Sequence, residues 1–371
     1  MALPTTNRAS GHQRDQAHKG RGAALNLEGR FEQWQREAFD DGWLAEVAEE
    51  FKLKSVITEE TAKSIISRND SPDIPFRYSV NPYRGCEHGC VYCFARPSHA
   101  YLGLSPGLDF ETRLFAKVNA PGLLRAELSK PGFESDVIVI GVNTDAYQPC
   151  ERKYLITRQL LEVASEFNQA VGVITKSAMI ERDIDILQSL STRNLVHATV
   201  SITTMDHHVS RYLEPRTAAP ARRMQTIKRL ADAGIPVGIN VAPVIPFLTD
   251  HEMESLLEAA RNMGATSAGY ILLRLPWEMK ELFRNWLENH FPLKAAHVMS
   301  RVQEMRGGQD NDPNFGSRMV GEGILARLLE QRFAKACKRF DLNNTGRRQI
   351  RRLDTTKFAV PGKPVQGCLA W

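Results

Sequence analysis

The sequence predicts an α/β protein built on a partial (β/α)6 barrel, an incomplete relative of the TIM barrel. Short β-branched runs alternate with longer amphipathic segments, and six such units follow one another along the chain. Serial β-α units indicate a parallel sheet with right-handed crossovers. No strand candidate alternates cleanly between apolar and polar residues, as expected for strands covered on both faces. Six units are too few for the eightfold barrel, which leaves a partial barrel or a doubly wound sheet, and we favour the partial barrel.

The predicted elements follow a regular order. Strands are expected at 76–82, 136–142, 171–175, 195–203, 236–243 and 269–276, with helices between them at 152–168, 181–190, 221–234 and 250–264. Several of these helices end in Gly or Asn, residues that often terminate helices.

Segments of different character flank the barrel and divide the chain into three regions. We expect 1–75 to form a partly disordered N-terminal arm with short helices, 76–290 to form the barrel, and 291–371 to form a helical extension with a basic tail. Few apolar residues among the first 30 predict disorder there. Helical patterns occur at 30–39 and 61–69 in the arm, and at 295–307 and 321–340 in the extension.

Composition places the chain among ordinary globular proteins. Its 371 residues are 42% hydrophobic and 25% charged, values typical of that class. No apolar run approaches the length of about 18 residues that spans a membrane, and the N-terminus lacks the apolar core of a secretion signal. The sequence therefore predicts no membrane association and a cytoplasmic location.

Positive charge is concentrated near the C-terminus. The net charge of the whole chain is +5, whereas the segment 331–357 carries nine Lys or Arg residues against Asp341 and Asp354. Such a patch can bind the phosphates of nucleic acid. A solvated helix face followed by a basic tail explains it equally well. Both interpretations stay open.

Three cysteines lie within eight residues, immediately after the first barrel strand. Cys86, Cys90 and Cys93 have the spacing C-x3-C-x2-C. Their loop is at the carboxyl end of a parallel strand, where α/β folds place active sites. Gly85 and Gly89 allow the backbone to curl so that three thiolates can converge. This density of cysteines favours metal binding over disulfide formation.

The number of ligands at this site leaves two interpretations. Three cysteines would leave one iron of a four-iron cluster open, as three protein ligands leave a substrate position on catalytic zinc. Alternatively, His88 or His99 completes a zinc site. The remaining cysteines, Cys150, Cys337 and Cys368, are scattered along the chain, which argues against a disulfide framework.

The triplet, with the aromatic Tyr92 just before its last cysteine, resembles the signature of the radical S-adenosylmethionine (SAM) superfamily. The resemblance covers roughly 76–290 and implies a partial six-unit barrel. It further implies that Cys86, Cys90 and Cys93 bind a [4Fe–4S] cluster whose open iron chelates SAM. One electron, from a donor such as flavodoxin or ferredoxin, then cleaves SAM to methionine and a 5′-deoxyadenosyl radical that abstracts hydrogen from a substrate. Such cofactors supply radical chemistry, and the protein provides orientation.

Polar residues at successive strand ends are candidates for holding SAM. Thr144 and Asp145 follow the second barrel strand and could bind its amino or carboxylate end. Lys176 ends the third strand, where a cation could pair with the carboxylate, and Ser201 on the fourth could bond a carboxylate or ribose hydroxyl. Tyr92 could contact adenine. A surface lysine and a core hydroxyl are the alternatives for Lys176 and Ser201, but two successive strand ends favour the binding role.

Together with LEPRTAAP at 213–220, these residues are similar to spore photoproduct lyase and its relatives, a branch described as DNA-repair-photolyase-like. This resemblance implies that Glu214 and Arg216 line the SAM or substrate pocket. One position departs from the branch, because Val142 stands where the lyase has its hydrogen-donating cysteine. Repair of spore photoproduct by that route is therefore not predicted. Tyr147 and Cys150 are candidates for a catalytic role, with packing as the alternative for each.

The sequence thus predicts a radical SAM enzyme that acts on an unidentified substrate. Nucleic acid is the first candidate, because of the basic segment 331–357 and the branch resemblance, and a protein or small molecule follows closely. The competing interpretation is a non-enzymatic nucleic-acid-binding protein whose fold is stabilised by an iron–sulfur cluster or a zinc ion.

Overall fold

The computed structural model of the protein describes residues 20–24, 26–31, 53–343 and 353–362. Its strands are β1 (Val56–Glu60), β2 (Ile66–Arg68), β3 (Tyr78–Val80), β4 (Tyr83–Arg84), β5 (Arg113–Lys117), β6 (Ile138–Ile140), β7 (Val171–Thr175), β8 (Val196–Ser201), β9 (Val237–Val244) and β10 (Ser267–Leu272). Its α-helices are α1 (Asp109–Thr112), α2 (Ala120–Leu128), α3 (Glu151–Tyr154), α4 (Ile156–Glu166), α5 (Ile184–Ser191), α6 (His207–Leu213), α7 (Pro220–Asp232), α8 (Met253–Asn262), α9 (Met279–His290), α10 (Pro292–Glu304), α11 (Ser317–Val320) and α12 (Gly323–Arg339).

Six strands form the parallel sheet that the sequence predicts. β3, β6, β7, β8, β9 and β10 lie side by side in chain order, and β2 pairs antiparallel with β3 at one edge. A doubly wound sheet would reverse its strand order at a switch point, whereas this order runs in one direction. The prediction of a partial barrel is therefore confirmed. The sheet stays open, with β10 and β2 at its edges.

The core lies between this sheet and the helices that connect its strands. β7 and β8 are buried along almost their whole length, with Val171 opposite Val196 and Val173 opposite Ala198. Strands buried in this way are covered on both faces. α4 buries Leu160 in the same core, and a fully buried leucine contributes about 1.5–3 kcal/mol.

The helix predicted over 152–168 is divided into α3 and α4. Leu155 has a φ of 55° between them, outside the helical region. The Glu151 carboxylate then accepts a hydrogen bond from the backbone amide of Thr157 (3.1 Å), in the first turn of α4. A carboxylate at this position satisfies an amide that the helix itself leaves free. Glu151 therefore stabilises the start of α4.

The helix predicted over 61–69 is wrong, because this segment contains β2. The Glu127 carboxylate accepts hydrogen bonds from the backbone amides of Ile65 (2.8 Å) and Ile66 (3.1 Å). β2 then pairs with β3. These tertiary contacts outweigh the helical pattern, since β-branched residues favour strands. Just before it, β1 joins β5 and β4 in a second, three-stranded sheet.

Part of the N-terminal segment packs against the barrel. Arg21 and Ala23 are only 8% and 2% exposed, so the expectation of disorder over 1–30 is wrong for these residues. Both residues form hydrogen bonds with Glu111, and Gly22 between them lies against Gly89 of the loop that carries the three cysteines. Residues 1–19 and most of the predicted helix 30–39 lie outside the described part of the chain.

The C-terminal extension packs on the barrel through α12. Its Arg332 guanidinium donates two hydrogen bonds to the Glu254 carboxylate of α8, each 2.7 Å long. Beyond α12, the Asn343 side chain accepts a hydrogen bond from the Ala268 amide (3.0 Å) at the edge of β10. Among the helices that the structure describes, none has the length and apolar character needed to cross a membrane.

The basic segment 331–357 is described in part, and Arg347, Arg348, Arg351 and Arg352 lie outside the described residues. Its end crosses the amino ends of the barrel strands. The amide of Asp354 donates to the carbonyl of Asn194 (2.9 Å), which precedes β8, and Lys357 donates to the Arg193 carbonyl (2.9 Å). This end of the segment therefore lies opposite the carboxyl edge of the sheet.

Candidate active site

The three cysteines lie in a tight loop that follows β3 and β4, at the carboxyl edge of the sheet. Gly85 and Gly89 in this loop have φ values of 73° and 67°, which residues with side chains adopt rarely. A Cβ at Gly85 would lie 2.9 Å from the carbonyl oxygen of Phe110. That same carbonyl accepts a hydrogen bond from the Cys86 amide (2.9 Å). The two glycines therefore set the curvature of the loop.

The thiols of Cys86, Cys90 and Cys93 are free, and the first two are buried. Burial, followed by the charges of Asp145 and the other two cysteines, raises the pKa of Cys86. Burial also raises the pKa of Cys90 and of Cys93. The three side chains are thus close enough to act on one another. Three free thiols in one buried loop fit an iron–sulfur cluster, which takes each cysteine on a separate iron atom.

The two histidines considered as zinc ligands have other partners. His99 Nε2 lies 2.9 Å from the Arg113 carbonyl oxygen, and His88 Nδ1 lies 3.3 Å from the Asp145 carboxylate. Within the described ranges, no three His, Cys, Asp or Glu side chains are grouped to hold a single metal ion.

A buried ion pair packs against the cysteine loop and stabilises it. Arg96 and Glu111 are both fully buried. The Arg96 guanidinium also donates to the carbonyl oxygens of Cys90 (2.9 Å) and Gly89 (3.0 Å). Because a buried charge is costly unless it is paired and hydrogen-bonded, this pair favours a single conformation of the loop. Neither residue was predicted from the sequence, because a charged side chain is ordinarily exposed and nothing in the neighbouring sequence indicates that these two are buried.

The N-terminal segment closes over the same loop. Glu111 accepts hydrogen bonds from the backbone amides of Gly22 (3.1 Å) and Ala23 (2.9 Å), and Arg21 donates to the Glu111 carbonyl (2.9 Å). Gly22 packs so tightly that a Cβ there would lie 1.8 Å from the Gly89 carbonyl oxygen. Residues 20–24 therefore belong to the packing of the cysteine loop.

Glu214 lies at the centre of a buried polar network beside the cysteines. Its carboxylate accepts hydrogen bonds from Tyr92, Arg223 and Thr203 (2.8 Å for Thr203), and Lys176 Nζ lies 3.8 Å away. Burial opposes ionisation of Glu214. The charges of Arg223 and Lys176, with the hydrogen bonds, outweigh burial and lower the pKa of Glu214 to about 2. Glu214 is therefore an anion at neutral pH and fixes the position of Lys176.

Lys176, predicted to pair with the SAM carboxylate, is within electrostatic reach of the cysteines. Its Nζ lies 5.8 Å from the centroid of the Tyr92 ring and donates to the Ala242 carbonyl (3.4 Å). Burial raises the pKa of Cys90 and of Cys93, and the Lys176 charge acts on both in the opposite direction. The fold thus brings this cation and the cysteines together from separate strand ends.

Asp145 has partners for both of its carboxylate oxygens. Oδ1 accepts from the Tyr147 amide (2.8 Å) and the Thr175 hydroxyl (2.7 Å), and Oδ2 accepts from the Lys176 amide (2.6 Å). Burial raises the pKa of Asp145, but the charge of His88 and the hydrogen bonds outweigh it, so the pKa lies below its ordinary value. Asp145 therefore links the end of β6 to the end of β7 and to the cysteine loop.

Thr144 and Ser201, the other strand-end candidates, are both buried. The Thr144 hydroxyl donates to the carbonyl of Tyr83 (3.0 Å). Ser201 ends β8, and its carbonyl accepts a hydrogen bond from Arg223 (2.7 Å). Both residues lie at the carboxyl edge of the sheet, on the same side as the cysteine loop.

Tyr147 and Cys150, the candidates for a catalytic role, are in the core. Tyr147 is fully buried and donates to the Asp183 carboxylate (3.0 Å). Burial, and then the charge of Asp183, raises its pKa. Burial followed by the charges of Glu87 and Glu151 raises the pKa of Cys150, which packs in the main hydrophobic cluster. These are contacts of packed side chains, but Tyr147 also lines a cleft beside the cysteine loop, and the catalytic role of either residue stays a prediction.

A cleft of about 420 Å³ opens beside the cysteine loop, and Arg216 and His88 are among its lining residues. The Arg216 amide donates to the His88 carbonyl (3.2 Å), and its guanidinium donates to the Glu87 carboxylate (3.2 Å). Arg216 was predicted to line the SAM or substrate pocket. The cleft places it beside His88, a residue of the cysteine loop, although no cysteine lines the cleft itself.

Sequence similarity to other proteins extends over more than half of the chain. The uncharacterized protein Rv2578c of Mycobacterium tuberculosis (strain ATCC 25618 / H37Rv) is 33% identical over 264 residues, which cover 70% of this chain and 76% of that protein. The uncharacterized protein MJ0683 of Methanocaldococcus jannaschii is 26% identical over 216 residues, which cover 58% of this chain and 77% of that protein.

Solved structures of spore photoproduct lyase share the fold. One of them, complexed with dinucleoside spore photoproduct, aligns with a TM-score of 0.56 and 16% sequence identity, covering 78% of this chain and 81% of that one. At this identity the likeness establishes the fold alone.

The model of the radical SAM superfamily matches residues 80–260, which include the cysteine loop and five of the six parallel strand ends. Membership implies SAM, an iron–sulfur cluster, a reductant and a substrate. The interpretation as a non-enzymatic protein is therefore wrong. The three-cysteine loop, the partial barrel and the family match agree, so the chain belongs to the radical SAM superfamily and is a radical SAM enzyme.

Proposed function

We propose that Cys86, Cys90 and Cys93 bind a [4Fe–4S] cluster at which SAM is cleaved reductively, and that the resulting 5′-deoxyadenosyl radical acts on a separate substrate. The observation that carries this proposal is the loop of three free thiols at the carboxyl edge of a partial barrel. When bound, the cluster and SAM supply the radical chemistry, and the chain supplies position and exclusion of water.

Lys176 and Ser201 are the proposed contacts of SAM. Glu214 holds the Lys176 ammonium group close to the cysteines, where it can pair with the SAM carboxylate. Ser201, on the next strand, offers a hydroxyl group for the carboxylate or the ribose. Tyr92 and Thr144 complete the proposed set, with Tyr92 next to adenine and Thr144 at the amino end of SAM.

For Asp145 we propose a positioning role in place of direct contact with SAM. Both carboxylate oxygens already have partners, among them the Lys176 amide. Its lowered pKa keeps it ionised at neutral pH, and it therefore fixes the backbone from which the Lys176 side chain extends.

The proposed partners are an electron donor such as flavodoxin or ferredoxin and a substrate for which nucleic acid is the first candidate. The shared fold with spore photoproduct lyase supports that candidate by analogy only. The basic segment 331–357 supports it less, because its described end crosses the amino ends of the strands. Free, buried thiols suit a reducing compartment, so we propose a cytoplasmic location.

The direct test is anaerobic reconstitution with iron and sulfide, followed by dithionite and SAM. We expect a brown protein that contains four iron atoms per chain and releases 5′-deoxyadenosine, which chromatography measures. A colourless protein that holds one zinc ion and leaves SAM intact after reconstitution would contradict the proposal.

Single cysteine variants provide matched controls within the same chain. Cys86→Ala, Cys90→Ala and Cys93→Ala should each lose the cluster absorbance and SAM cleavage. Cys150→Ala and Cys337→Ala remove buried thiols from the core and should keep both properties. Cys368 lies outside the described residues. Loss of iron from all five variants alike would show that the effect is general destabilisation.

A further inference from the structure

The cleft beside the cysteine loop has a lining with basic residues and no acidic ones. Three of its lining residues are arginines, Arg152, Arg216 and Arg222, and the lining contains neither Asp nor Glu. Most of its lining residues lie in the segments that follow the carboxyl ends of β6, β7 and β8, the ends at which α/β enzymes bind their substrates. Its volume of about 420 Å³ falls within the range of small-molecule sites.

The three arginines differ in how far they are already neutralised. Arg222 donates to both oxygens of Glu181 (2.8 Å for Oε2). Arg216 has one longer contact, 3.2 Å, with Glu87. Arg152 is exposed, and its side chain has no hydrogen-bond or ion-pair partner in the part of the chain that the structure describes. The cleft therefore retains uncompensated positive charge, concentrated at Arg152.

The guanidinium group of Arg21 adds positive charge close to Arg216. Arg21 donates to the Ser55 hydroxyl at 3.3 Å, and Arg216 donates to the same hydroxyl at 3.4 Å. Burial, and then the like charge of Arg216, lowers the pKa of Arg21. Two guanidinium groups thus converge on one neutral side chain, and one of them, Arg216, lines the cleft. An anion bound by Arg216 would reduce the repulsion between the two.

The remaining lining offers neutral donors. α7, a helix of 13 residues, begins at the cleft, where Ala218 and Arg222 line it, and no side chain caps its first turn. Ser177 and Thr217 add hydroxyl groups to the lining. Guanidinium forks, hydroxyl groups and an uncapped helix start are together the donor set that proteins use for phosphate.

We propose that this cleft binds a phosphate ester group of the substrate, with Arg152 and Arg216 as its principal ligands. The inference rests on the proposed function, since it assigns a substrate class to the radical chemistry at the neighbouring cysteines. His88, which lies between Cys86 and Cys90 in the chain, lines the cleft. A substrate anchored here by phosphate therefore lies next to the cysteine loop.

Calorimetric titration of the reconstituted holoenzyme under anaerobic conditions tests the proposal. The probes are thymidine 5′-monophosphate, thymidine, and a decamer of thymidylate. We expect the monophosphate to bind and thymidine not to bind. Arg152→Gln should weaken monophosphate binding at least tenfold, the effect of removing one charge-assisted contact. Lys153→Gln, which removes a neighbouring charge that does not line the cleft, should leave binding unchanged.

Ala218→Glu is a second variant that does not depend on the loss of a side chain. It adds a carboxylate among the arginines and should abolish monophosphate binding. Equal binding of thymidine and its monophosphate would overturn the proposal. So would unchanged binding in both cleft variants, or a loss of SAM binding in Arg152→Gln, since the cleft would then belong to SAM.

Two further readouts separate the possible results. A decamer that binds more tightly than the monophosphate, with steep salt dependence, identifies a polynucleotide as the source of the phosphate. Equal affinity identifies a small phosphorylated molecule. Release of 5′-deoxyadenosine from SAM is measured on the same wild-type preparation. Absence of 5′-deoxyadenosine refutes the proposed function. SAM cleavage without binding of the monophosphate refutes only the proposal that the cleft binds phosphate.

Discussion

Replacement of Gly22 by alanine tests whether the N-terminal segment is part of the cysteine loop. A Cβ at this position would lie 1.8 Å from the Gly89 carbonyl oxygen, and real Cβ atoms essentially never approach within 3.0 Å. Gly89 cannot move away easily, because its carbonyl also accepts a hydrogen bond from the buried Arg96. The segment must therefore retreat by roughly 1 Å, the difference between these two distances.

Such a retreat breaks the hydrogen bonds from the amides of Gly22 and Ala23 to the Glu111 carboxylate, which measure 3.1 and 2.9 Å. Hydrogen bonds to a charged group contribute about 1.5–3 kcal/mol each. Loss of both weakens docking by roughly 3 kcal/mol or more. Since about 1.4 kcal/mol corresponds to a factor of ten, the undocked population should rise by about a hundredfold.

Trypsin cleavage after Arg21 measures this population, because Arg21 is only 8% exposed when the segment is docked. When opening and closing are fast, the cleavage rate follows the fraction of open molecules. We expect the bond after Arg21 to be cleaved about a hundredfold faster in Gly22→Ala. Gly122→Ala is the matched control, since a Cβ there meets nothing within 4 Å. An unchanged rate in Gly22→Ala would refute the reasoning.

Three further predictions concern the charged residues around the cysteines. Glu214→Gln leaves Arg223 without its partner and should destabilise the fold by about 3–5 kcal/mol. The pKa of Glu214 is lowered from 4.5 to about 2. Its stabilising effect is therefore present above pH 4.5 and is lost as the pH falls towards 2. Melting temperatures measured against pH should show this loss in the wild type but not in the variant. Lys176→Ala should weaken SAM binding, measured by titration, while iron content stays intact; simultaneous loss of iron would contradict the placement of Lys176. Arg96→Met leaves the buried Glu111 without its ion-pair partner, so iron analysis should show loss of the cluster. Full retention of iron would contradict the conclusion that Arg96 and Glu111 hold the cysteine loop in place.

Features that depend on local pattern were predicted from the sequence. The strand expected at 171–175 is β7, with the same bounds, because a strand buried on both faces is apolar throughout. The serial β-α units also gave the correct strand order. The cysteine loop and Lys176 follow from spacing and from position at a strand end, which parallel sheets convert into proximity.

Features that depend on distant partners were not predictable in this way. The segment 61–69 became a strand because Glu127, far away in the chain, binds its amides. Gly22 resembles any glycine in a polar segment until Gly89 lies against it. Asp145 resembled a ligand for SAM, but the number of donors that surround a carboxylate is a property of the folded state.

The contact between Gly22 and Gly89 means that the folding unit around the cysteines is discontinuous in sequence. A recombinant fragment that starts at residue 76 would contain every barrel strand and all three cysteines. It would still expose one face of the cysteine loop to solvent, because Gly22 and Ala23 would be missing. Truncation for crystallisation, or fusion of a tag close to Gly20, should therefore preserve these few residues along with the barrel.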